Sequence, residues 1–256
     1  MLMTRVMPCL LVENGRLVKT VNFKNPSYVG DPVNAIKIYN EKEVDELVLL
    51  DIVATSEGRE PSFDLLSNVA DECFMPLTYG GGIRELDDIK EIFSLGIEKV
   101  AINSFAAQDP GFIRKAAELF GNQSIVVSID VKKSMFGKYA VYTQSGQKNT
   151  GYNPVEYAAE MEEMGAGEIL LNSIDRDGTW KGYDIALIRA VTDAVNIPVI
   201  ACGGAGNVQD FGNAVSQGGA SAVAAGSMVV YSGKGLGVLI NFPKRIELRE
   251  VFGETV

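Results

Sequence analysis

The sequence predicts an α/β fold: a (β/α)8 TIM barrel in a single domain, residues 1–256, with a two-fold internal duplication into half-barrels of about 1–121 and 122–256. Three observations carry this. Short β-rich runs alternate with amphipathic helical stretches eight times along the chain, the count a closed βα barrel needs. Long segments of the second half repeat the first at one register. Glycine clusters follow the third and the seventh strand, at equivalent places of that repeat. A doubly wound open sheet is the alternative for such alternation, and the duplication favours closure.

The elements follow in order. Strand one begins at Arg5, runs to Val12 and leads into a polar loop. The helix in "PVNAIKIYNEKE" starts on Pro32, a residue preset for the first helical turn. Strand two begins near Glu46 and ends at Asp51, and strand three begins near Met75. "LDDIKEIFSLG" is a helix stopped by Gly96, strand four begins near Glu98, and "PGFIRKAAELFG" is a helix between Pro110 and Gly121. Strand five begins near Ser124, and its mouth end carries Asp130. Helix "PVEYAAEMEEMG", strand six from near Glu168, helix "IALIRAVTDAV", and strands from near Ile197 and Ser221 complete the set.

The repeat is specific. "MPLTYGGGIRELDDIKEIFSLG" from Met75 echoes "IPVIACGGAGNVQDFGNAVSQG" from Ile197. Pro76 and Pro198, Gly81 and Gly203, Gly82 and Gly204, Gly96 and Gly218, and Glu46 and Glu168 are each 122 positions apart. "DPV" from Asp31 likewise matches "NPV" from Asn153. In the first unit the register slips by three, which a longer flap after strand five absorbs. "PCLLV" then faces "VSIDV", and Leu11 becomes the twin of Asp130.

Composition excludes several chemistries. The chain has no histidine, so triads, imidazole ligands and imidazole proton shuttles are ruled out, and acid–base work falls to Asp, Glu, Lys, Tyr or Cys. A net charge of −10 argues against nucleic acid as a partner. Cys9, Cys73 and Cys202, odd in number and widely spaced, suggest neither disulfides nor a zinc site but reduced thiols in a cytoplasmic chain. No apolar run reaches a membrane span and no signal segment is visible, so no membrane partner is expected. No metal and no cofactor are expected either.

Two symmetric glycine clusters remain to be explained. Gly80 to Gly82 pair with Asn103–Ser104 one strand later, and Gly203 to Gly206 pair with Gly226–Ser227. Glycines let backbone N–H groups approach a phosphate, and a following helix N-terminus favours the anion. Tight βα turns also use glycine. Two matched clusters favour a phosphorylated small molecule with a phosphate at each end, held by Gly81, Gly82, Asn103, Ser104, Gly203, Gly204, Gly226 and Ser227.

Carboxylates collect at the same end. Asp51 ends strand two, Asp130 ends strand five, and Asp175 and Asp177 follow strand six in "NSIDRDGTWKG". Loop capping is the ordinary fate of aspartate in such "DG" sequences, strongest for Asp175 and weakest for Asp130. Partial desolvation should raise Asp130 toward a useful acid–base range, whereas Leu11 removes the like-charge neighbour that symmetry would supply. At the opposite end, Arg5, Glu46, Lys99 and Glu168 lie near strand starts. Pointing inward they would form a ring of alternating charge, but the residues alone favour an ordinary charged rim.

"NFKNPSYVGDPV", "DELVLLDI", "YGGGI", "KVAIN", "SGQKNTG", "AGEILLNSIDRDGT" and "CGGAG" resemble the cyclase subunit of imidazole glycerol phosphate synthase, the HisF family, from about Arg5 to about Ser227. The resemblance implies a two-fold barrel for a ligand with two phosphates. It also implies a glutaminase subunit docked on the N-terminal barrel face, whose ammonia crosses the barrel to the mouth. There the synthase splits a phosphoribulosyl-formimino nucleotide into imidazole glycerol phosphate and an aminoimidazole carboxamide ribonucleotide. By the same resemblance, Arg5, Glu46, Lys99 and Glu168 match the ammonia gate, and Gly82, Asn103, Gly204 and Gly226 fall in the phosphate loops. Lys19 lies in the first flap, and Asp130 is one of two catalytic aspartates.

The chain departs from that family at telling places. Leu11 replaces the other catalytic aspartate, Ser27 stands where a phosphate-binding arginine is expected, and Asn172 and Cys202 replace small hydroxyl residues. The tail "GKGLGVLINFPKRIELREV" resembles a divergent branch linked to acetamidino modification of bacterial surface sugars, where the barrel and a glutaminase supply a separate ATP-using amidotransferase. An ammonia-delivering subunit of such a sugar amidation system is therefore the expected function. The alternatives are a working cyclase of histidine biosynthesis, with Asp130 sharing proton transfer with Asp177 or Asp51, and a noncatalytic scaffold for a glutaminase and a phosphorylated sugar.

Overall fold

The computed structural model describes residues 4–253. Eight parallel strands close into a barrel: β1 Arg5–Glu13, β2 Leu47–Asp51, β3 Leu77–Gly80, β4 Lys99–Ile102, β5 Ile125–Lys133, β6 Glu168–Ser173, β7 Val199–Cys202 and β8 Ala222–Ala225. Each pairs with the next, and β8 returns to β1 with Arg5 opposite Ala222. All starts lie within two residues of the expected ones.

Strand alternation sorts the side chains into two layers. Outward residues pack under the helices in one large core. Inward ones, among them Met7, Val48, Ala101, Val126, Leu170 and Ile200, fill the barrel with a separate apolar cluster. Among the described residues no helix is long and apolar enough to cross a membrane.

The repeated residues do equivalent jobs in both halves. Asp31 and Asn153 each cap a helix that opens on proline, accepting from Asn34 N and Val155 N at 2.9 Å. Asp88 caps the backbone N–H groups of Arg84 and Glu85, and Asp210 does the same for Gly206 and Asn207. The repeat thus preserves the devices that start each helix after its glycine loop.

The first strand differs from expectation. It does not end in a polar loop: Asn14 (φ 50°) and Gly15 (φ 74°) turn β1 into an antiparallel hairpin, Arg16–Val21 and Lys24–Gly30. "ENGR" is the turn signal that does this, because Asn-Gly adopts the left-handed backbone a tight hairpin requires. A second hairpin grows from β5 through Tyr139–Thr143 and Lys148–Asn149. Leu11 pairs with Val18 and Asp130 with Tyr142, so both twins sit where a barrel strand enters its flap. The helix Arg245–Phe252, from the divergent tail, packs on the helix Val208–Ser216 and buries Leu248.

Candidate functional site

At the N-terminal end of the barrel four charges meet inside it. Arg5 donates to Glu46 at 2.6 Å and to Glu168 at 2.9 Å, while Lys99 Nζ reaches Glu46 Oε1 at 3.0 Å and Glu168 Oε1 at 3.3 Å. Thr78 Oγ1 adds a bond to Glu46 at 3.1 Å. Each cation touches both anions, so the ring closes, and Glu46 is only 3% exposed. The ordinary rim favoured by the residues alone is therefore corrected. The first inward position of a strand faces the bore, and charges there persist only when paired.

Above the ring the interior is apolar until the mouth. There a cavity of about 510 Å³ is lined by both glycine clusters and both flaps. Leu11, Lys19, Asp51, Asp130, Asp177, Asn103 and Ser104 all reach it, as do Gly81, Gly82, Gly203, Gly204, Gly226 and Ser227. Of the mouth residues singled out in the sequence, Asp175 and Ser27 do not line it.

The carboxylates are not equivalent. Asp51 is spent on its own loop, with Oδ1 accepting from Val53 N and Ala54 N and Oδ2 3.5 Å from Arg59. Asp175 Oδ2 accepts from Lys133 N at 2.7 Å and ties the sixth loop to β5. Asp130, 8% exposed, has one weak partner, Asn103 Nδ2 at 3.3 Å. Burial raises its carboxyl to about 7, helped by the charge of Asp177. Asp177 is itself raised by burial, against the pull of Lys19 and of Thr20, which donates to it at 2.9 Å. Leu11 therefore does not leave Asp130 without an acidic neighbour. The flap brings Asp177 in, a contact that strand symmetry could not announce.

The sign of the Asp130 shift fixes a stability prediction. A carboxyl held above its unfolded value favours the fold below that value and loses this advantage as pH rises through about 7. Asp130→Asn is expected to leave stability near pH 3.5 unchanged and to raise it by about 2–4 kcal/mol at pH 8. Urea unfolding at the two pH values measures this.

Both flaps lie over the mouth. Asn22 donates through its backbone to Asp177 O and through Nδ2 to Ile174 O and Asp175 O. Lys19 Nζ donates to Cys9 O beside Gly226. From the second hairpin Ser145 bonds Ile52 O, and Gln144 N donates to Ser104 Oγ at 3.0 Å. Ser27, where an arginine is expected, is exposed at 3.2 Å from Tyr231 Oη and brings no cation to the mouth.

The glycine clusters satisfy the turn as well as any ligand. A Cβ on Gly204 (φ 116°) would lie 2.3 Å from Gly182 O, and one on Gly81 (φ 124°) 2.5 Å from Asp51 O. Gly204→Ala is expected to cost about 2–4 kcal/mol in urea unfolding, since left-handed strain adds to overlap with backbone.

Several mouth residues escaped the sequence reading. Arg84 stands beside Gly81 and Gly82, and its place after "GGGI" was the available signal. Thr55 Oγ1 accepts from Gly82 N at 3.3 Å. Cys9 also lines the cavity, beside Cys202 already marked by the resemblance, and their interaction lowers the Cys9 thiol and raises that of Cys202.

Fold and site together define a (β/α)8 barrel whose duplicated, glycine-lined mouth holds a buried acid. A family model described as "Histidine biosynthesis protein" matches residues 5–235. The chain is 52% identical over 243 residues to a protein of Pseudomonas aeruginosa named "Putative imidazole glycerol phosphate synthase subunit hisF2", covering 95% of this chain and 97% of that one. It is 46% identical over 253 residues to the like-named HisF of Leptospira interrogans, covering 98% and 100% of the two chains. A hisF3 of the same description from Vibrio vulnificus is 46% identical over 251 residues, covering 98% and 96%. The chain belongs to the histidine biosynthesis protein family, in its HisF-like branch.

Proposed function

We propose that this HisF-like synthase subunit delivers ammonia from a glutaminase subunit, through its barrel, to an ATP-using amidotransferase that forms an acetamidino group on a surface-polysaccharide sugar. One observation carries the reading: an apolar interior joins a closed ring of paired charges to a mouth where Leu11 stands at the place of an acid. Neutral ammonia crosses apolar packing at small cost, whereas ammonium and water are held back by the loss of hydration. Arg5, Glu46, Lys99 and Glu168 are the gate in this reading. The glutaminase docks beside them, where Phe74 stands 83% exposed in the turn before β3. The glycine loops hold a phosphorylated ligand at the mouth.

The test is isotopic. In the assembled complex, amide-labelled [15N]glutamine is supplied with an excess of unlabelled ammonium, and the amidated sugar is analysed. Product nitrogen coming from glutamine supports conduction. Complete dilution of the label by the ammonium pool favours a scaffold that only assembles its partners.

A second reading, a working cyclase of histidine biosynthesis, is favoured by one observation: Asp177 supplies the acidic neighbour that position 11 lacks. Asp130 and Asp177 would then share the proton transfers.

A further inference from the structure

We propose that Tyr152 is the stacking platform of a nucleobase subsite at one end of the mouth, so that the phosphorylated ligand held there is a nucleotide. The proposal rests on the reading of the mouth as a site for a phosphorylated ligand. The second hairpin is tied to the Asn103–Ser104 loop by Gln144 N, which donates to Ser104 Oγ at 3.0 Å. Tyr152 stands just beyond the last strand of that hairpin, and Phe105 follows Ser104. Both rings line the cavity.

Each ring is braced by a second one that is buried. Tyr152 lies parallel to Tyr157, with an interplanar angle of 4° and centroids 5.3 Å apart, and Tyr157 is only 2% exposed. Phe105 meets the buried Phe112 edge-on at 4.9 Å. The Tyr152 backbone is fixed as well: its N–H donates to Thr150 Oγ1 at 3.2 Å and its carbonyl accepts from Val141 N at 3.0 Å. Tyr152 nevertheless stays 41% exposed. A ring covered on one side by a buried ring and bordering a cavity with the rest offers a flat apolar surface whose orientation is already set.

A phosphate has no use for such a surface, whereas a purine or pyrimidine does, because base–aromatic stacking needs a ring held flat. Gln108 and Gln144 line the same cavity, and their carboxamides form no hydrogen bond among the described residues. Carboxamides carry both donors and acceptors, as the edge of a base does. The repeat adds a further mark. At its offset of 122 positions, Tyr152 corresponds to Gly30 and Tyr157 to Ala35, so the stacked pair belongs to one half-barrel and has no twin in the other. In the amidation reading the ligand is then a nucleotide-linked sugar and not a free sugar phosphate.

Uridine 5′-monophosphate, adenosine 5′-monophosphate and ribose 5-phosphate are the probes, since the last differs from the others in lacking the base. Their binding to the full chain is followed by heteronuclear NMR at constant ionic strength, through the backbone amides of Asn103 and Gln144. At least one nucleotide should bind about tenfold more tightly than ribose 5-phosphate. Tyr152→Phe, which keeps the ring, should keep that advantage, and Tyr152→Ala should bring the nucleotide down to the affinity of ribose 5-phosphate. Equal affinities in the natural chain, or the full advantage retained in folded Tyr152→Ala, overturn the subsite and leave the phosphate reading intact. Absence of binding by all three overturns both. No glutaminase is present, so these outcomes are independent of the labelled-glutamine experiment.

Discussion

Lys99→Leu is expected to cut glutamine-dependent amidation by about 100-fold while leaving amidation driven by added ammonium within about twofold. The ammonium Nζ of Lys99 bridges Glu46 and Glu168 at 3.0–3.3 Å. Without it, two carboxylates keep one cation, Arg5, between them. An ammonium ion has the charge and the N–H donors of the lost group, so ammonia released by a glutaminase is protonated and held there, below packing it cannot cross as a cation. Ammonium added to the medium enters from the mouth and avoids the trap. Removing one partner of a buried ion pair costs about 3–5 kcal/mol, less here because Arg5 is partly exposed, so a folded sample must be verified by thermal unfolding. Equal losses in both assays would sink the gate and favour the scaffold.

The second large effect concerns ring closure. Supplied with the phosphoribulosyl-formimino nucleotide and saturating ammonium, the chain is expected to form imidazole glycerol phosphate at least about 1,000-fold more slowly than a two-acid cyclase, since a positioned acid–base group contributes about 100- to 10,000-fold. Leu11 packs on the interior cluster and offers no proton, and no carboxylate lies at its height on β1. Measurable product would favour the cyclase reading, and Asp177→Asn should then abolish it. If Asp177→Asn leaves such turnover intact, the charge coupling between Asp177 and Asp130 has no catalytic role.

Much of this was legible in the residues. The alternation and the 122-residue repeat give the barrel because the repeated positions are the ones that start helices and turn loops, and those are local devices. The ring at the other end was not legible from residue types, since the direction of Arg5 or Lys99 depends on closure and tilt of the barrel. The resemblance named those four residues; the geometry pairs them. Asp177 illustrates the opposite failure. Its "DG" context reads as a turn, and only docking of the first flap through Thr20 and Asn22 holds it by Asp130. Asn172 was marked only by the resemblance, because by residue type an inward asparagine between "LL" and "S" is indistinguishable from a core polar residue whose bonds are made.

At the tip of the first flap Asn22 and Phe23 both have left-handed backbones, φ 53° and 60°, and Phe23 lies against Gly146 of the other hairpin. A phenylalanine in that conformation costs roughly 1–2 kcal/mol. The three Asn22 bonds to the sixth loop offset this. Uncovering the mouth therefore breaks the Asn22 bonds to the sixth loop while relaxing the left-handed turn that carries them.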